Sequence, residues 1–411
     1  MDAIRNSLAC HLSSIPRRLK NVASEYVLMA STMGGNASLQ QASSLSGIPA
    51  SCFSNLLSKG AAIPVAQINH LASKLLTMKR RPLIPNSPWT VAIIVDSTHH
   101  QRSKKDLENV QKFSKGGKYI VGHQWTNIMI LTGGQRIPLP PIPFYTKEYC
   151  SQHNLEYKSE PVRVREFLEK LRLEDYIGNH RASEVVVLLD SGYDSRDLQQ
   201  TILMNGWDLI GSLKSSSTVK IEEEAKKQKL KTIFSPGSNH IWQTVYRFDS
   251  NRKRRKDFRT CATTGFLNGL VVEGQIVCSE LRRDRLKKET RKYLYCSNVS
   301  LDLGVIVRLY SERWKIEVFH KDMKSQMGME KTRFKSFRNV YAHVCWTYVA
   351  YLLVKLRSPN VGLSQAKLNF KSDLSIQKIS KYRRTLNLFG GKQQLESLCL
   401  AEIQHLKLSK Q

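Results

Sequence analysis

Near the three-quarter point of this 411-residue chain, four polar residues recur at helical spacing: Tyr310, Arg313, Glu317 and Lys324. At about 100° per residue, they fall within an arc of roughly 60° on one helix face. Apolar residues gather on the other side, as in a half-buried helix: Ile316, Phe319, Met323 and Met327. A phenol, a guanidinium, a carboxylate and an ammonium in one row suit a site that holds a cation and binds phosphates. The alternative is a solvated helix face with incidental charge.

Two more acids follow predicted strands. Residues 91–95 and 185–189 are short apolar runs, typical of buried strands, and they end at Asp96 and Asp190. Ligands of open α/β sheets collect beyond the carboxyl ends of strands, so neighbouring strands would bring these two acids together, with Glu317 as a third corner. Three carboxylates repel one another unless cations lie between them, and two Mg²⁺ ions about 4 Å apart support phosphodiester cleavage. We therefore predict two Mg²⁺ ions at these acids, with Mn²⁺ as a substitute.

Other residues compete for these roles. An aspartate at a strand end often only forms a turn or caps a helix. The competitors are Asp194 and Asp197 for Asp190, Glu312 and Asp322 for Glu317, and His99 and His100 as metal ligands. The first pair lies past Gly192, in the turn or the following helix. By helical angle, the second pair points about 140° away from Glu317.

The chain is strongly basic. It has 64 Lys and Arg against 34 Asp and Glu, which gives a net charge of +30 and a pI of about 9.9. Nucleic acid is the favoured partner, and the alternatives are an anionic membrane surface or a charge that only keeps the protein in solution. Basic runs at 252–256 and 282–288 lie in a segment with the alternating pattern of antiparallel strands.

The eight cysteines are scattered singly, without the spacing of a zinc or redox site. They predict reduced thiols. The N-terminus lacks a signal-peptide pattern, and the longest apolar stretch, 344–354, is too short to span a bilayer. We expect a cytoplasmic, nucleoid-associated protein without a membrane partner.

Changes of pattern divide the chain into five predicted segments. Residues 1–85 form a helical DNA-binding domain, in which 38–57 fit a helix-turn-helix, although any two short helices joined at a glycine look similar. The motif has Ala42 at the helix crossing, Gly47 in the turn, and Ile48, Phe53 and Leu56 in the core. Alternating strands and helices predict an α/β catalytic core at 86–214, continued at 301–357. A basic β insertion lies between them, at 215–300, and a helical tail follows, at 358–411.

Three motifs resemble those of the bacterial insertion-sequence transposases of the IS-four family, which are DDE-type enzymes. The spacing Tyr, two residues, Arg, three residues, Glu, six residues, Lys is similar to the family signature. The triplet that starts at Asp96 resembles its first-acid motif, and the segment from Asp190 to Tyr193 resembles its second. The β insertion lies between the second Asp and the Glu, as in that family. The resemblance covers roughly residues 88–340. It implies an RNase H-like fold, with divalent-metal-dependent DNA cleavage and strand transfer at the ends of a mobile element.

Carried over residue by residue, the resemblance implies three catalytic metal ligands: Asp96, Asp190 and Glu317. It implies three contacts to phosphates at the transposon end: Tyr310, Arg313 and Lys324. Family members can carry a tryptophan that stacks on a base flipped out during hairpin formation. The best match here is Tyr293, with Tyr295 and Trp242 as rivals, so the hairpin step stays open.

The implied partners are double-stranded DNA, as terminal inverted repeats and as target, and a second copy of the chain in a homodimeric synaptic complex. Two alternatives remain. One is an RNase H-like nuclease or recombinase without a mobile-element role. The other is a DNA-binding regulator with a vestigial catalytic fold, against which the intact acids argue.

Overall fold

The computed structural model describes residues 10–12, 15–34, 38–76, 81–102, 106–115, 118–222, 225–235, 238–249, 254–267, 270–281, 291–359 and 361–374. The chain forms two compact units. The first comprises Met1–Leu75, Lys104–Glu108 and His320–Gln411, and the second comprises Leu76–Ser103 and Asn109–Phe319. The predicted basic run at 282–288 and the end of the predicted tail, from 375 onward, lie outside the described residues.

The described helices, in chain order, are α1 (Arg17–Met33), α2 (Leu39–Ser46), α3 (Ala50–Ser58), α4 (Ala62–Leu75), α5 (Lys147–Gln152), α6 (Glu160–Lys170), α7 (Glu174–Ile177), α8 (Arg196–Met204), α9 (Leu230–Ile233), α10 (Leu303–Tyr310), α11 (Trp314–Ser325) and α12 (Phe337–Arg357). Short 3-10 turns span Ala182–Glu184, Ser191–Tyr193 and Ser311–Arg313. Residues 363–374 are also helical.

The described strands, in chain order, are β1 (Val91–Gln101), β2 (Gln111–Lys115), β3 (Lys118–Thr132), β4 (Gln135–Pro138), β5 (Ile142–Pro143), β6 (Val185–Leu189), β7 (Asp208–Leu213), β8 (Thr218–Lys220), β9 (Gln228–Lys229), β10 (Gln243–Asp249), β11 (Arg254–Leu267), β12 (Glu273–Leu281) and β13 (Lys292–Cys296). In the second unit they form one sheet in the order β2-β3-β1-β6-β7-β13-β12-β11-β8-β9. Strand β10 pairs with β11, and β4 and β5 pair with β3.

The centre of this sheet is parallel and buried. Strand β6 pairs in parallel with β1 on one side and β7 on the other, and all five of its residues are buried. Parallel strands covered on both faces need continuous apolar runs, which is why the pattern at 185–189 identified this strand. Strand β13 then pairs antiparallel with β7, so the strands of the 215–300 segment extend the same sheet. The mixed α/β class is confirmed, and the division into five segments stays a prediction.

The first unit is helical and contains α1 to α4 and α12. Helix α12 is buried throughout 344–354, as the apolar stretch predicted. Buried His343 fastens α12 to its neighbours: Tyr26 donates its hydroxyl to Nδ1 at 2.6 Å, and Nε2 donates to the Gly328 carbonyl at 3.1 Å. Within the described part of the chain, no helix combines the length and apolar character that a bilayer crossing requires.

Helices α2 and α3 are joined at Gly47, as the helix-turn-helix pattern predicts. Gly47 ends α2 with φ of 73°, a left-handed conformation that favours glycine. Helix α2 starts with a capping box, in which Ser38 and Gln41 exchange side-chain to backbone hydrogen bonds. Phe53 is fully buried, while Ile48 stays partly exposed and does not close the core as expected. DNA reading by this motif stays a prediction.

Strands β1 and β11 differ from the sequence expectation. The apolar run predicted a strand that ends at residue 95, but β1 continues to Gln101 because β3 pairs with it antiparallel up to the Gln101 and Gly122 rung. A polar alternating stretch is stable there, since its backbone groups find partners in β3. Strand β11 begins at Arg254, inside the basic run that was assigned to a connection, and its backbone pairs with β10.

The signature segment is not one continuous helix. Helix α10 ends at Tyr310, a 3-10 turn spans Ser311–Arg313, and α11 starts at Trp314. The Ser311 hydroxyl donates to the Val307 carbonyl at 2.8 Å, a local hydrogen bond that competes with regular helix geometry. The single arc predicted for the four signature residues is therefore divided between two helices and the turn that joins them.

Candidate active site

Two of the predicted acids lie at one level of the sheet. The parallel ladder between β1 and β6 ends at Val95 and Leu189, one residue before Asp96 and Asp190. The parallel ladder between β6 and β7 ends at Leu189 and Gly211, one residue before Asp190 and Ser212. Neighbouring strands are about 4.8 Å apart, and residues at one level point to the same face. Sequence analysis missed Ser212, because only the strand register reveals its place beside the acids.

Arg313 joins Asp96 to Glu317. Its Nη1 donates to Asp96 Oδ2 at 3.0 Å, and its Nη2 donates to Glu317 Oε1 at 2.6 Å. The side chains are 13%, 15% and 31% exposed for Arg313, Asp96 and Glu317, so the contacts are largely shielded from solvent. The backbone amide of Ser97 donates to the other Asp96 oxygen at 2.9 Å. The α10–α11 junction thus brings the third acid to Asp96, in the middle of β1.

The electrostatics of the site reflect this crowding. Burial raises the pKa of Asp96 to about 6, Arg313 opposes that shift, and the nearby carboxylates of Asp190 and Glu317 add to it. Burial would lower the pKa of Arg313, but the Tyr310 phenol and the carboxylates, Asp96 first, raise it above its ordinary value. The Arg313 guanidinium therefore stays protonated, and its positive charge offsets the repulsion between the neighbouring carboxylates.

Tyr310 lies beside Arg313. It is 9% exposed, its ring centroid lies 5.9 Å from the Arg313 guanidinium carbon, and its hydroxyl is hydrogen-bonded to Ser212. Burial raises its pKa to about 12, so the phenol is neutral at pH 7. The remaining signature residue, Lys324, forms an ion pair with Glu330 at 3.2 Å.

The competing residues have other partners. Asp194 accepts hydrogen bonds from Gln199 and Ser217, Asp197 pairs with Arg165, Glu312 pairs with Lys315, and Asp322 accepts from Gln326. The His99 ring packs 4.1 Å from Phe113, and buried His100 lies beside His123. Each competitor is thus engaged by neighbours outside the group of Asp96, Arg313 and Glu317. We therefore favour Asp96, Asp190 and Glu317 as the candidate acids.

The predicted stacking residue is buried. Tyr293 is 5% exposed, with its ring centroid 5.9 Å from that of Phe234. Of its rivals, Tyr295 is fully buried and donates to the Val272 carbonyl at 3.1 Å, while Trp242 is covered by the Arg259 guanidinium at 4.8 Å. Trp314, directly after Arg313, is 59% exposed and was missed. Stacking by Tyr293 stays a prediction that requires its ring to leave this packing.

The acids suit a hard divalent cation by chemistry. Among the residues that the structure describes, no three His, Cys, Asp or Glu side chains converge closely enough to hold a metal as they stand. The reason is visible, since the Arg313 guanidinium already lies between Asp96 and Glu317. A site that gathers carboxylate oxygens around one cation can exchange it for another, because oxygen ligands are those that Mg²⁺ prefers. Asp96, Asp190 and Glu317 are the residues that could hold such an ion, in exchange for the contacts of Arg313 to Asp96 and Glu317.

Comparison with known proteins completes the identification. Functionally curated proteins gave no significant match. A family model described as the transposase DDE domain matches residues 90–353, well over half of the chain. The matched segment contains the level of Asp96 and Asp190 in the sheet and the α10–α11 junction with Glu317. This chain therefore belongs to the family of transposase DDE domains.

Proposed function

We propose that this transposase cleaves DNA at the ends of an insertion sequence and transfers the strands to target DNA, as a member of the IS-four family with an RNase H-like core. One observation carries the proposal. Asp96 and Asp190 lie at one level, each one residue past the end of the parallel ladder between β1 and β6, and Glu317 reaches Asp96 through a shared guanidinium. Three acids gathered on rigid backbone around one cation suit phosphodiester chemistry.

Each residue of the site has a proposed role. Asp96, Asp190 and Glu317 would hold two Mg²⁺ ions, with Mn²⁺ as a substitute, and such ions polarise a phosphate and activate its attacking oxygen. Arg313, once released from the acids, can grip a phosphate of the transposon end through two parallel hydrogen bonds. Tyr310 and Lys324 would contact neighbouring phosphates. Tyr293 remains the proposed stacking residue, with exposed Trp314 as the more accessible aromatic ring.

DNA binding is supported by charge and by the first unit. The net charge of +30 favours polyanions. A cavity of about 1200 Å³ within the first unit is lined by polar residues of the helix-turn-helix and by the segment after α11, among them Ser51, Ser54, Lys331 and Arg333. Hydroxyl groups and cations are the usual contacts to DNA phosphates. We propose that this unit binds the terminal inverted repeats, within a homodimeric synaptic complex in the nucleoid.

The decisive experiment uses a supercoiled plasmid that carries the inverted repeats flanking the gene. With Mg²⁺, wild-type protein should cut at the repeat ends and join them to target DNA, and Asp190→Asn should do neither. Cutting without regard to the repeats would favour the nuclease alternative. Binding of the repeats by wild type without any metal-dependent cutting would favour the regulator and refute the proposal.

A further inference from the structure

A fourth carboxylate lies close to the site but is bound quite differently. Glu160, the first residue of α6, accepts three hydrogen bonds from neutral donors. Oε1 accepts from the Thr126 hydroxyl and from the Tyr193 hydroxyl, each at 2.6 Å. Oε2 accepts from Gln124 Nε2 at 2.6 Å. Thr126 is 2% exposed and Tyr193 is 3% exposed, so the half-buried Glu160 carboxylate is the centre of a hydrogen-bond network with two buried hydroxyl donors.

One donor of this network belongs to the turn that follows Asp190. The backbone amide of Tyr193 donates to the Asp190 carbonyl at 2.9 Å and closes the 3-10 turn. The Tyr193 hydroxyl is tied to Glu160, so the turn is anchored at its far end. Asp190 is therefore held between β6 behind it and a clamped tyrosine in front of it.

The other donors belong to the strand beside Asp96. Thr126 lies on β3 opposite Ser97, the residue after Asp96, and Gln124 lies two positions along. Because side chains alternate along a strand, Thr126 and Gln124 point to the face away from the Asp96 side chain. The network therefore supports the site from the opposite face of the sheet. Asp96 lies close enough to Tyr193 to contribute, after burial and Glu160, to its raised pKa.

We propose that Glu160 is a positioning residue, which fixes the separation of Asp96 and Asp190 by clamping Tyr193 and Thr126 and thereby sets the affinity of the acids for a divalent cation. This inference rests on the proposed function, since it assigns a partner to the same acids. Groups that orient metal ligands without touching the metal typically contribute 10-fold to 100-fold in affinity. Without the clamp on Tyr193 and Thr126, the carboxylates of Asp96 and Asp190 would lose that preorganisation.

The test measures Mn²⁺ binding to the metal-free full chain by the electron paramagnetic resonance signal of the unbound ion. Tyr193→Phe keeps the ring and removes one donor, and it should weaken Mn²⁺ binding by roughly tenfold. Thr126→Val, which removes the second donor, should weaken it in the same direction. The matched control is Thr260→Val, which removes a buried hydroxyl that pairs with Ser279 at 3.3 Å in the β11–β12 ladder, and it should bind Mn²⁺ like wild type.

Thermal melting in chelator separates positioning from general damage. Thr126→Val and Thr260→Val each lose one buried hydrogen bond, so comparable melting temperatures with unequal Mn²⁺ affinities support positioning. Wild-type affinity in Tyr193→Phe, or equal weakening in Thr260→Val, refutes the role of Glu160 and leaves the proposed function intact. A wild-type chain that binds no Mn²⁺ refutes the proposed function and this inference with it.

Discussion

The carboxylates around the middle of β1 are bound in two different ways. Asp96 and Glu317 share one guanidinium, at 3.0 and 2.6 Å. Glu160 accepts from two hydroxyls and an amide, all at 2.6 Å. A cation that two acids share can be exchanged for another cation. A carboxylate that accepts only from neutral donors holds no cation that could be exchanged. The contrast separates acids placed to change partners from an acid placed to stay fixed.

The largest effect should come from Glu317→Gln. The amide keeps the size of the side chain but is a poor metal ligand, so cleavage of a supercoiled substrate should fall by orders of magnitude while gel-shift affinity for the repeat ends changes little. Glu312→Gln and Asp194→Asn are the controls, because these acids bind Lys315 and Gln199 instead, and both should stay active. Wild-type cleavage by Glu317→Gln in Mg²⁺ would remove Glu317 from the site.

Arg313→Lys should follow, with a loss of cleavage on the order of a hundredfold. Lysine lacks the planar fork with which arginine bonds two acids, or two phosphate oxygens, in parallel, and a misplacement of about 1 Å costs roughly that factor. Cleavage and melting temperature should be measured together. Full activity, or a loss that unfolding explains, would reduce Arg313 to an ion-pair partner that stabilises the α10–α11 junction.

How much of this site the sequence could predict depends on whether a feature is local. An apolar run followed by an acid singled out Asp96 and Asp190, and the strand at 185–189 has the predicted bounds. Ser212 could not be predicted, since only register places it at the level of the acids. Glu160 could not be predicted either, because its donors lie more than thirty residues away along the chain.

The break in the signature helix was hidden for a related reason. Helical periodicity extends through 310–324, so the pattern alone supports one helix. The 3-10 turn at Ser311–Arg313 leaves no mark on that pattern, because Tyr310 and Trp314 on either side of it keep right-handed helical dihedral angles. The turn also aims Arg313 at Asp96, a contact between residues 217 positions apart.

The pH dependence of metal binding should also identify the acids that bind a cation. In the folded protein the pKa of Asp96 is about 6, above its ordinary value of 3.8. Ionisation of Asp96 therefore lowers the stability of the metal-free protein as pH rises through 6. A cation needs the ionised form and offsets that cost. Mn²⁺ should therefore raise the melting temperature more at pH 7.5 than at pH 5. An equal rise at both pH values would mean that Asp96 is not a ligand.

The smallest effect should come from Lys324→Arg. Lys324 pairs with Glu330 at 3.2 Å, and both side chains are partly exposed, at 23% and 30%. Such a pair contributes at most about 1 kcal/mol, and arginine keeps both the charge and the partner. Cleavage should fall less than about threefold by this reasoning, whereas Lys324→Ala should weaken binding of the repeat ends and reduce its salt dependence by about one phosphate contact. Equal defects in the two variants would show that the function of Lys324 requires the ammonium group itself. Lys324 would then be more than a simple phosphate contact.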